Sequence, residues 1–262
     1  MEIKNSFGKI QVLKMFELIV DITCDLEDEF LEKENIQVVP LYIVLPKGRR
    51  IKIESRNDTK KFYRNKELRK MWIKGKLKTS QPSIKDFLEK VRKFDKKNKI
   101  VIVTLSSKLS GTYNVALMAK KILQKEGYSI EVVDSLLTSY AMGFMIKDLV
   151  EMRKKGEFAK LDHRNYDVFF YPRNIEFLFS SGRLNILKYS FLKISKLKPV
   201  FHLNEGRVEK YRLVKNPRES LEKLEKKYKI SRKLSTEEGY LINPILAVNV
   251  GPVEGLAVKT NF

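Results

Sequence analysis

The sequence has one cysteine, Cys24, and two histidines, His163 and His202, among its 262 residues. A single cysteine cannot form an internal disulfide, which is typical of proteins from a reducing compartment. The two histidines lie far apart, and neither belongs to a metal-binding spacing such as H-x-x-x-H. We therefore expect no disulfide framework, no bound metal and no other cofactor.

Long apolar runs are also missing, because the longest hydrophobic stretches are only as long as a β-strand. A membrane-spanning helix needs about 20 consecutive apolar residues. The N-terminal segment lacks a signal-peptide pattern, since Glu2 and Lys4 interrupt it and no apolar region with a cleavage site follows. We expect a soluble protein located in the cytoplasm.

Acidic residues are outnumbered: 32 Asp and Glu stand against 53 Lys and Arg, so the formal net charge is +21. Such an excess indicates nucleic acid or an anionic membrane as a partner. In the segments 89–99 and 222–233, however, acidic residues stand among the lysines, which is typical of a solvated surface. No helix-turn-helix, zinc or RNA-binding signature accompanies the charge. Nucleic-acid binding stays an alternative function, and transient contact with an anionic membrane is a second interpretation of the charge.

Strand-like and helical patterns alternate through the first half of the chain. The run 99–105 is almost wholly apolar and β-branched, and the apolar residues of 112–126 then recur at helical spacing. Strands are predicted at 16–20, 36–44, 100–105 and 130–133, and helices at 25–33, 62–74, 83–94, 112–126 and between 134 and 152. This alternation predicts an α/β fold with a mostly parallel sheet and helices on both faces.

The second half of the chain is less regular and predicts a second, α+β lobe. Strands are predicted at 167–171, 199–203 and 208–214, short helices at 175–179 and 190–197, and a hairpin turn at 204–206, where Asn-x-Gly favours positive φ. The boundary between the lobes is predicted near Gly156. The expected domains are thus residues 1–155 and 156–262.

Four hydroxyl-rich loops fall at predicted strand ends or helix starts. They are 21–25, 78–83, 106–112 and 134–135. Hydroxyls and free N–H groups at helix starts bind anions, and parallel sheets bind ligands beyond the carboxyl ends of their strands. Serine, threonine and aspartate are also ordinary helix caps, and Ser83 with Asp86 has the spacing of a capping box. From the loops alone, both interpretations stay open.

The same loops carry a resemblance to the DegV family. The matching segments are D-I-T-C-D-L at 21–26, V-V-P-L at 38–41, T-S-Q-P-S at 79–83, L-S-S-K-L-S-G-T-Y at 105–113, V-D-S at 133–135, S-G-R-L at 181–184 and K-P-V at 198–200. This resemblance implies two α/β lobes with a fatty acid buried between them. It also implies a non-enzymatic role in bacteria, as the acyl-binding subunit of a fatty acid kinase whose separate kinase subunit phosphorylates the carboxyl group of the bound acid.

The resemblance also implies the ligand-binding residues. The hydroxyls of Thr79 and Ser110 would hold the carboxylate, with the amides of Gly111 and Thr112 nearby, and Arg183 would neutralise charge at the pocket mouth. The full implied set is Thr79, Ser80, Ser110, Gly111, Thr112, Arg183 and Asn249. The acyl chain would lie in an apolar tunnel formed by the second lobe.

Three features depart from the family pattern. Asn249 stands where the family has a histidine; asparagine can donate a hydrogen bond, but it cannot carry charge. Ile22 replaces a small, serine-like residue. We also expect the second lobe to be shortened, with most of one strand and helix missing between Lys215 and Asn249.

A serine-based acyl hydrolase is the enzymatic alternative, with Ser110 as the nucleophile. It would need a base within reach, and no G-x-S-x-G motif is present in the sequence. A kinase would need a phosphate-binding loop of the form G-x-x-x-x-G-K-[ST], which is also missing. Fatty-acid binding is the prediction; the hydrolase and nucleic-acid binding are the alternatives.

Overall fold

The structure is a computed structural model, and it describes residues 2–4, 10–12, 16–157, 159, 161–183, 197–236 and 242–260. Its strands are β1 (Glu2–Lys4), β2 (Ile10–Val12), β3 (Glu17–Asp21), β4 (Gln37–Val39), β5 (Leu41–Val44), β6 (Arg50–Ile53), β7 (Lys78–Ser80), β8 (Lys99–Thr104), β9 (Ser129–Asp134), β10 (Tyr166–Pro172), β11 (Lys198–Asn204), β12 (Arg207–Val214), β13 (Ile230–Ser235) and β14 (Val253–Lys259). Its helices are α1 (Asp28–Lys33), α2 (Arg56–Arg64), α3 (Lys66–Ile73), α4 (Ile84–Val91), α5 (Thr112–Lys125), α6 (Ser139–Lys155), α7 (Glu176–Ser180), α8 (Pro217–Lys227) and α9 (Pro244–Val250), with short 3-10 helices at Ile22–Cys24, Pro46–Gly48 and His163–Asn165.

The first lobe is built on a four-stranded sheet in the order β4-β3-β8-β9, and all of its strand pairs are parallel. Strands buried on both faces need apolar side chains on both sides, which explains the continuous apolar run of β8. Ile100 and Ile102 pack towards α4 and α5, whereas Val101 and Val103 belong to the core that includes α6. The predicted α/β class, with helices on both faces of a parallel sheet, is therefore confirmed.

Two segments of this lobe that were each predicted as one element form two elements in the structure. The segment 36–44 is not one strand, because Pro40 separates β4 of the parallel sheet from β5, which pairs antiparallel with β6 and β7. Proline has no N–H to continue the ladder. The predicted helix 62–74 is α2 followed by α3, and Asn65 starts the second helix by accepting a hydrogen bond from the N–H of Leu68 at 3.1 Å.

The second lobe is a five-stranded antiparallel sheet in the order β12-β11-β10-β14-β13. One face is covered by α8, and the other packs on the core shared with the first lobe. The hairpin turn at 204–206 is confirmed, with Gly206 at φ 77°. Residues 190–196 of the predicted helix 190–197 lie outside the described residues.

The segment between Lys215 and Asn249 contains α8, β13 and most of α9. β13 lies at the edge of the sheet, where it pairs with β14. The expectation that this lobe is shortened relative to the family stays a prediction. The division of the chain at residue 155 stays a prediction.

None of the helices in the described ranges is long and apolar enough to cross a bilayer.

Candidate functional site

A cavity of about 280 Å³ lies between the two lobes. Its apolar lining comes from both lobes and consists of Leu41, Leu105, Leu109, Val168, Phe170, Leu178, Leu203, Val208, Leu234, Ile242, Ile245, Leu246, Val250 and Val253. Its polar lining consists of Thr79, Ser80, Gln81, Ser110, Gly111, Thr138, Ser139, Arg183 and Asn249. An apolar cavity with a few polar groups is the usual form of a small-molecule site.

The first polar segment is the T-S-Q-P-S loop. Thr79 and Ser80 end β7, whose pairing with β5 holds them at the cavity. Ser83 follows and forms the predicted capping box with Asp86, since Ser83 Oγ accepts from the N–H of Asp86 and the Asp86 carboxylate accepts from the N–H of Ser83. The end of this loop is therefore an ordinary helix cap, while its start lines the cavity.

The second polar segment is the start of α5. Gly111 is the N-cap residue of this helix and offers no side-chain cap to the first N–H groups. Thr112 donates its N–H to Ser110 Oγ at 3.3 Å, and the two hydroxyl oxygens lie 2.9 Å apart. The positive end of the helix dipole thus points to the region around Ser110.

Gly111 stands at this helix start because a side chain there would clash with Gln81. A Cβ atom on Gly111 would lie 2.0 Å from Gln81 Oε1, so the two polar segments are in close contact. Thr112 itself is fully buried and does not line the cavity. Its hydroxyl orients Ser110, and the proximity of its amide to the ligand stays a prediction.

Asn249 joins the two lobes at the polar part of the cavity. Its Nδ2 donates to Thr79 Oγ1 at 3.2 Å and to the carbonyl of Ile245 at 2.7 Å. The side chain is therefore held in one orientation by β7 and by its own helix. Two of the sequence-predicted site residues, 170 positions apart in the chain, are brought into direct contact.

Arg183 lies next to the Ser110 loop. Its Nε donates to the carbonyl of Leu109 at 3.3 Å and its Nη1 donates to the carbonyl of Ser181 at 2.5 Å. Burial lowers the pKa of the guanidinium from its usual value. Because no carboxylate lies among the described residues that line the cavity, this cation has no counter-ion there. An anion in the cavity would supply it.

Two of the four hydroxyl-rich loops do not contribute to the cavity. Asp21 accepts hydrogen bonds from the N–H of Thr23 and the N–H of Leu105, at 2.9 and 2.6 Å. Asp134 accepts from the N–H of Ser107 at 3.0 Å. These two carboxylates stabilise the loops at the sheet edge, so for loops 21–25 and 134–135 the structure favours the local, structural interpretation.

Among the residues that the structure describes, neither histidine is placed to act as a catalytic base for Ser110. His163 pairs with Glu205 at 3.2 Å, and His202 pairs with Asp167 at 3.1 Å. Neither histidine is among the described residues that line the cavity. Nucleophilic attack by Ser110 would need such a base within hydrogen-bond reach. No cluster of three or more potential metal ligands occurs in the part of the chain that the structure describes.

Sequence reasoning missed several lining residues. Gln81 lies within the T-S-Q-P-S motif, so its position was a usable signal. Thr138 and Ser139, at the start of α6, follow the V-D-S segment by only a few residues. The apolar lining residues had no distinguishing signal, because buried leucine, isoleucine and valine are equally expected in an ordinary core.

The fold and the cavity together define a two-lobed α/β protein with an apolar ligand pocket between a parallel and an antiparallel sheet. A family model described as "Uncharacterised protein, DegV family" matches residues 15–250. The chain belongs to the DegV family.

Relatives of known name agree with this assignment. The chain is 32% identical over 220 residues to a fatty acid-binding protein from Thermotoga maritima, with 79% of this chain and 74% of that protein covered. Its fold is similar to the crystal structure of a DegV lipid-binding protein from the same organism, with a TM-score of 0.72 and 25% identity over 93% of this chain and 98% of the other. A stearic acid-binding protein from Eubacterium ventriosum has a TM-score of 0.76 at 20% identity over 94% and 98% of the two chains, which supports the fold alone.

Proposed function

We propose that this protein binds a long-chain fatty acid in the cavity between its lobes and has no catalytic activity of its own. The observation that carries the proposal is an apolar cavity with an unpaired cation, Arg183, among neutral polar groups and no carboxylate among its described lining residues. An apolar chain ending in one negative charge matches this distribution. The names of the relatives in the DegV family support the same ligand class.

In this proposal the carboxylate lies between Thr79 and Ser110. Both hydroxyls can donate to it, and the amides at the start of α5, beginning at Gly111, add further donors. Ser80 and Asn249 complete the polar wall, and Thr112 holds Ser110 in place. A carboxylate that accepts several hydrogen bonds near a guanidinium stays ionised even beside apolar groups.

The carboxylate would be accessible to another protein. Gln81 is exposed, and Ser80, Ser110 and Gly111 are partly exposed, so the polar part of the cavity reaches the surface. We propose that the protein presents the acid to a separate kinase subunit, which phosphorylates the carboxyl group. Incubation of the acid-loaded protein with ATP and a bacterial fatty acid kinase subunit should yield acyl phosphate, trapped as the hydroxamate. Absence of acyl phosphate, while an established acyl carrier gives it in the same assay, would contradict this role.

The basic surface supports a transient contact with an anionic membrane. Lys66, Arg69 and Lys70 of α3 and Lys74, which directly follows it, lie together around Ile73, which is 57% exposed. Each such cation adds about 1 kcal/mol of attraction near anionic lipid. Flotation with anionic vesicles should recover the protein, and flotation with neutral vesicles should not. Equal recovery, or none, would contradict the contact.

The binding proposal is tested with delipidated protein and palmitic acid. The acid should raise the melting temperature of the wild type, and Thr79→Ala with Ser110→Ala should remove most of this gain. Ser129→Ala is the matched control, because Ser129 is exposed at the start of β9, at the opposite end of the strand from the cavity. No gain for the wild type, or an equal gain for the double variant, would contradict the proposal.

A further inference from the structure

The helix α9 carries a large part of the cavity wall but is too short to be stable alone. It spans seven residues, of which Ile245, Leu246, Asn249 and Val250 line the cavity. Isolated helices below about 12 residues are marginal in water, so its position depends on contacts with the rest of the fold. The residues that hold α9 therefore also shape the site.

Three contacts hold α9 along its length. At its end, Asn249 is bonded to Thr79. In its middle, Trp72 Nε1 donates to the carbonyl of Ala247 at 2.8 Å. At its start, the N-cap residue Asn243 donates its backbone N–H to Asp25 Oδ1 at 2.8 Å.

Asp25 is the centre of the contact at the helix start. It is 1% exposed, and its Oδ2 accepts from Ser139 Oγ at 2.7 Å, while Arg56 Nη1 lies 3.3 Å from Oδ1. The side chain of Asn243 adds to the contact, since its Nδ2 donates to the carbonyl of Ile22 at 3.2 Å. One carboxylate thus connects a loop of the parallel sheet, α2, α6 and α9.

The backbone around this carboxylate is held in an unusual conformation. Asp25 and Ser139 have φ values of 54° and 56°, in the left-handed region that favours glycine. Such conformations persist only where the surroundings impose them, and they cluster at functional sites. The bond between the two side chains joins the two left-handed residues, and Ser139 itself lines the cavity.

We propose that Asp25 is a positioning residue of the acid site, which fixes α9, and with it Asn249 and the apolar wall, against the first lobe. This inference rests on the proposed fatty-acid binding. Asp25 does not line the cavity, so it acts through Asn243 and Ser139 and not by touching the acid. An amide at this position offers only one acceptor oxygen for the two donors, Ser139 Oγ and the N–H of Asn243, so Asp25→Asn should loosen α9. It should weaken acid binding by about tenfold, as expected for loss of a bond in a buried hydrogen-bonding network.

The chain contains one tryptophan, and this residue reports the position of α9. Trp72 is 3% exposed and bonded to α9, so release of the helix should shift its emission to the red and increase quenching by acrylamide. In ligand-free protein, Asp25→Asn should show both changes. Asp21→Asn is the matched control, because Asp21 is equally buried in the same loop but bonds Thr23 and Leu105 instead of α9. It should lower stability and leave the Trp72 signal unchanged.

Ser139→Gly is the second variant, in case Asp25→Asn does not fold. Glycine favours the positive φ at this position, so the fold is retained while the hydroxyl that orients Asp25 is lost. It should increase quenching of Trp72 to an intermediate degree. The inference would be overturned if Asp25→Asn and Ser139→Gly, where folded, show the emission and quenching of the wild type. It would also be overturned if Asp21→Asn shows the same change as Asp25→Asn. Failure of the wild type to take up palmitic acid would instead overturn the proposed function, because the Trp72 measurement needs no ligand.

Discussion

Asn249 Nδ2 donates a hydrogen bond to Thr79 Oγ1 across 3.2 Å, and this bond joins α9 to β7 at the polar part of the cavity. The residue stands where the family resemblance led us to expect a histidine. Asparagine fills the position with a neutral donor whose orientation is fixed by a second bond to the carbonyl of Ile245. Both amide hydrogens of Asn249 are thus used within the protein, and the Thr79 hydroxyl, which accepts one of them, can donate its own hydrogen to a ligand. Unlike histidine, asparagine does not titrate near neutral pH.

Replacing Asn249 by alanine should weaken both the fold and acid binding. The change leaves Thr79 Oγ1 and the Ile245 carbonyl without this donor, so the free energy of unfolding should fall by about 1 kcal/mol. Urea unfolding and palmitic acid titration measure the two effects. Asn57→Ala is the control, because Asn57 is exposed on α2. Wild-type acid affinity in Asn249→Ala would show that this contact has no part in the site.

Arg183→Met should discriminate between charged and neutral ligands. The loss of a charge-assisted interaction should weaken palmitic acid binding by about tenfold or more. Binding of 1-hexadecanol, which has the same chain length and no charge, should change little. Arg49→Met, at an exposed position, is the control and should bind both ligands as the wild type does. An equal loss for acid and alcohol would mean that Arg183 supports the pocket without recognising charge.

Leu246→Phe should shift the preferred chain length. Leu246 lines the cavity and is only partly buried, so a larger ring can be accommodated while it takes up part of the space for the acyl chain. In a competition between lauric and stearic acid, the variant should retain more of the shorter acid than the wild type does. Ile73→Phe, on the exposed face of α3, is the control. An unchanged ratio would place the acyl chain elsewhere.

Asp25 should make stability depend on pH in a definite direction. Burial raises its pKa to about 6, although Arg56, Ser139 and the N–H of Asn243 oppose this effect. Since the folded protein binds this proton more tightly than the unfolded chain, the contribution of Asp25 to stability is greatest below about pH 4. It is lost as the pH rises through about 6, with a total change on the order of 3 kcal/mol.

Urea unfolding at several pH values tests this dependence. Between pH 4 and pH 7, the unfolding free energy of the wild type should fall relative to that of Asp25→Asn. Asn57→Ala, which removes no titratable group from an exposed position of α2, should remain parallel to the wild type over the same range. If the unfolding free energies of Asp25→Asn and the wild type change with pH in the same way, the pKa of Asp25 is the same in the folded and unfolded states, which would contradict the prediction.

The parallel sheet and its covering helices were predictable because their patterns are local. The apolar run of β8 and the helical spacing of α5 identify a buried strand and a helix without any knowledge of their neighbours. The break at Pro40 was visible as a residue type, but its consequence depends on the pairing of β5 with β6 and β7. Such pairing between distant segments has no local signature.

The residues of the candidate site were predictable only where they lie in a recognisable sequence motif. Six of the seven predicted residues line one cavity, and Thr112 lies behind Ser110. The contact of Asn249 with Thr79 joins segments 170 residues apart, which periodicity alone cannot pair. The hydrogen bonds of Asp25 could not be predicted for the same reason, because its partners Asn243 and Ser139 come from other parts of the chain.

Native mass spectrometry of freshly purified protein tests the central claim most directly. Fatty-acid binding predicts a bound mass in the range of long-chain fatty acids, which is retained by Ser129→Ala and depleted in the variant that combines Thr79→Ala with Ser110→Ala. A spectrum of ligand-free protein alone, together with no uptake of added palmitic or stearic acid, would contradict the account.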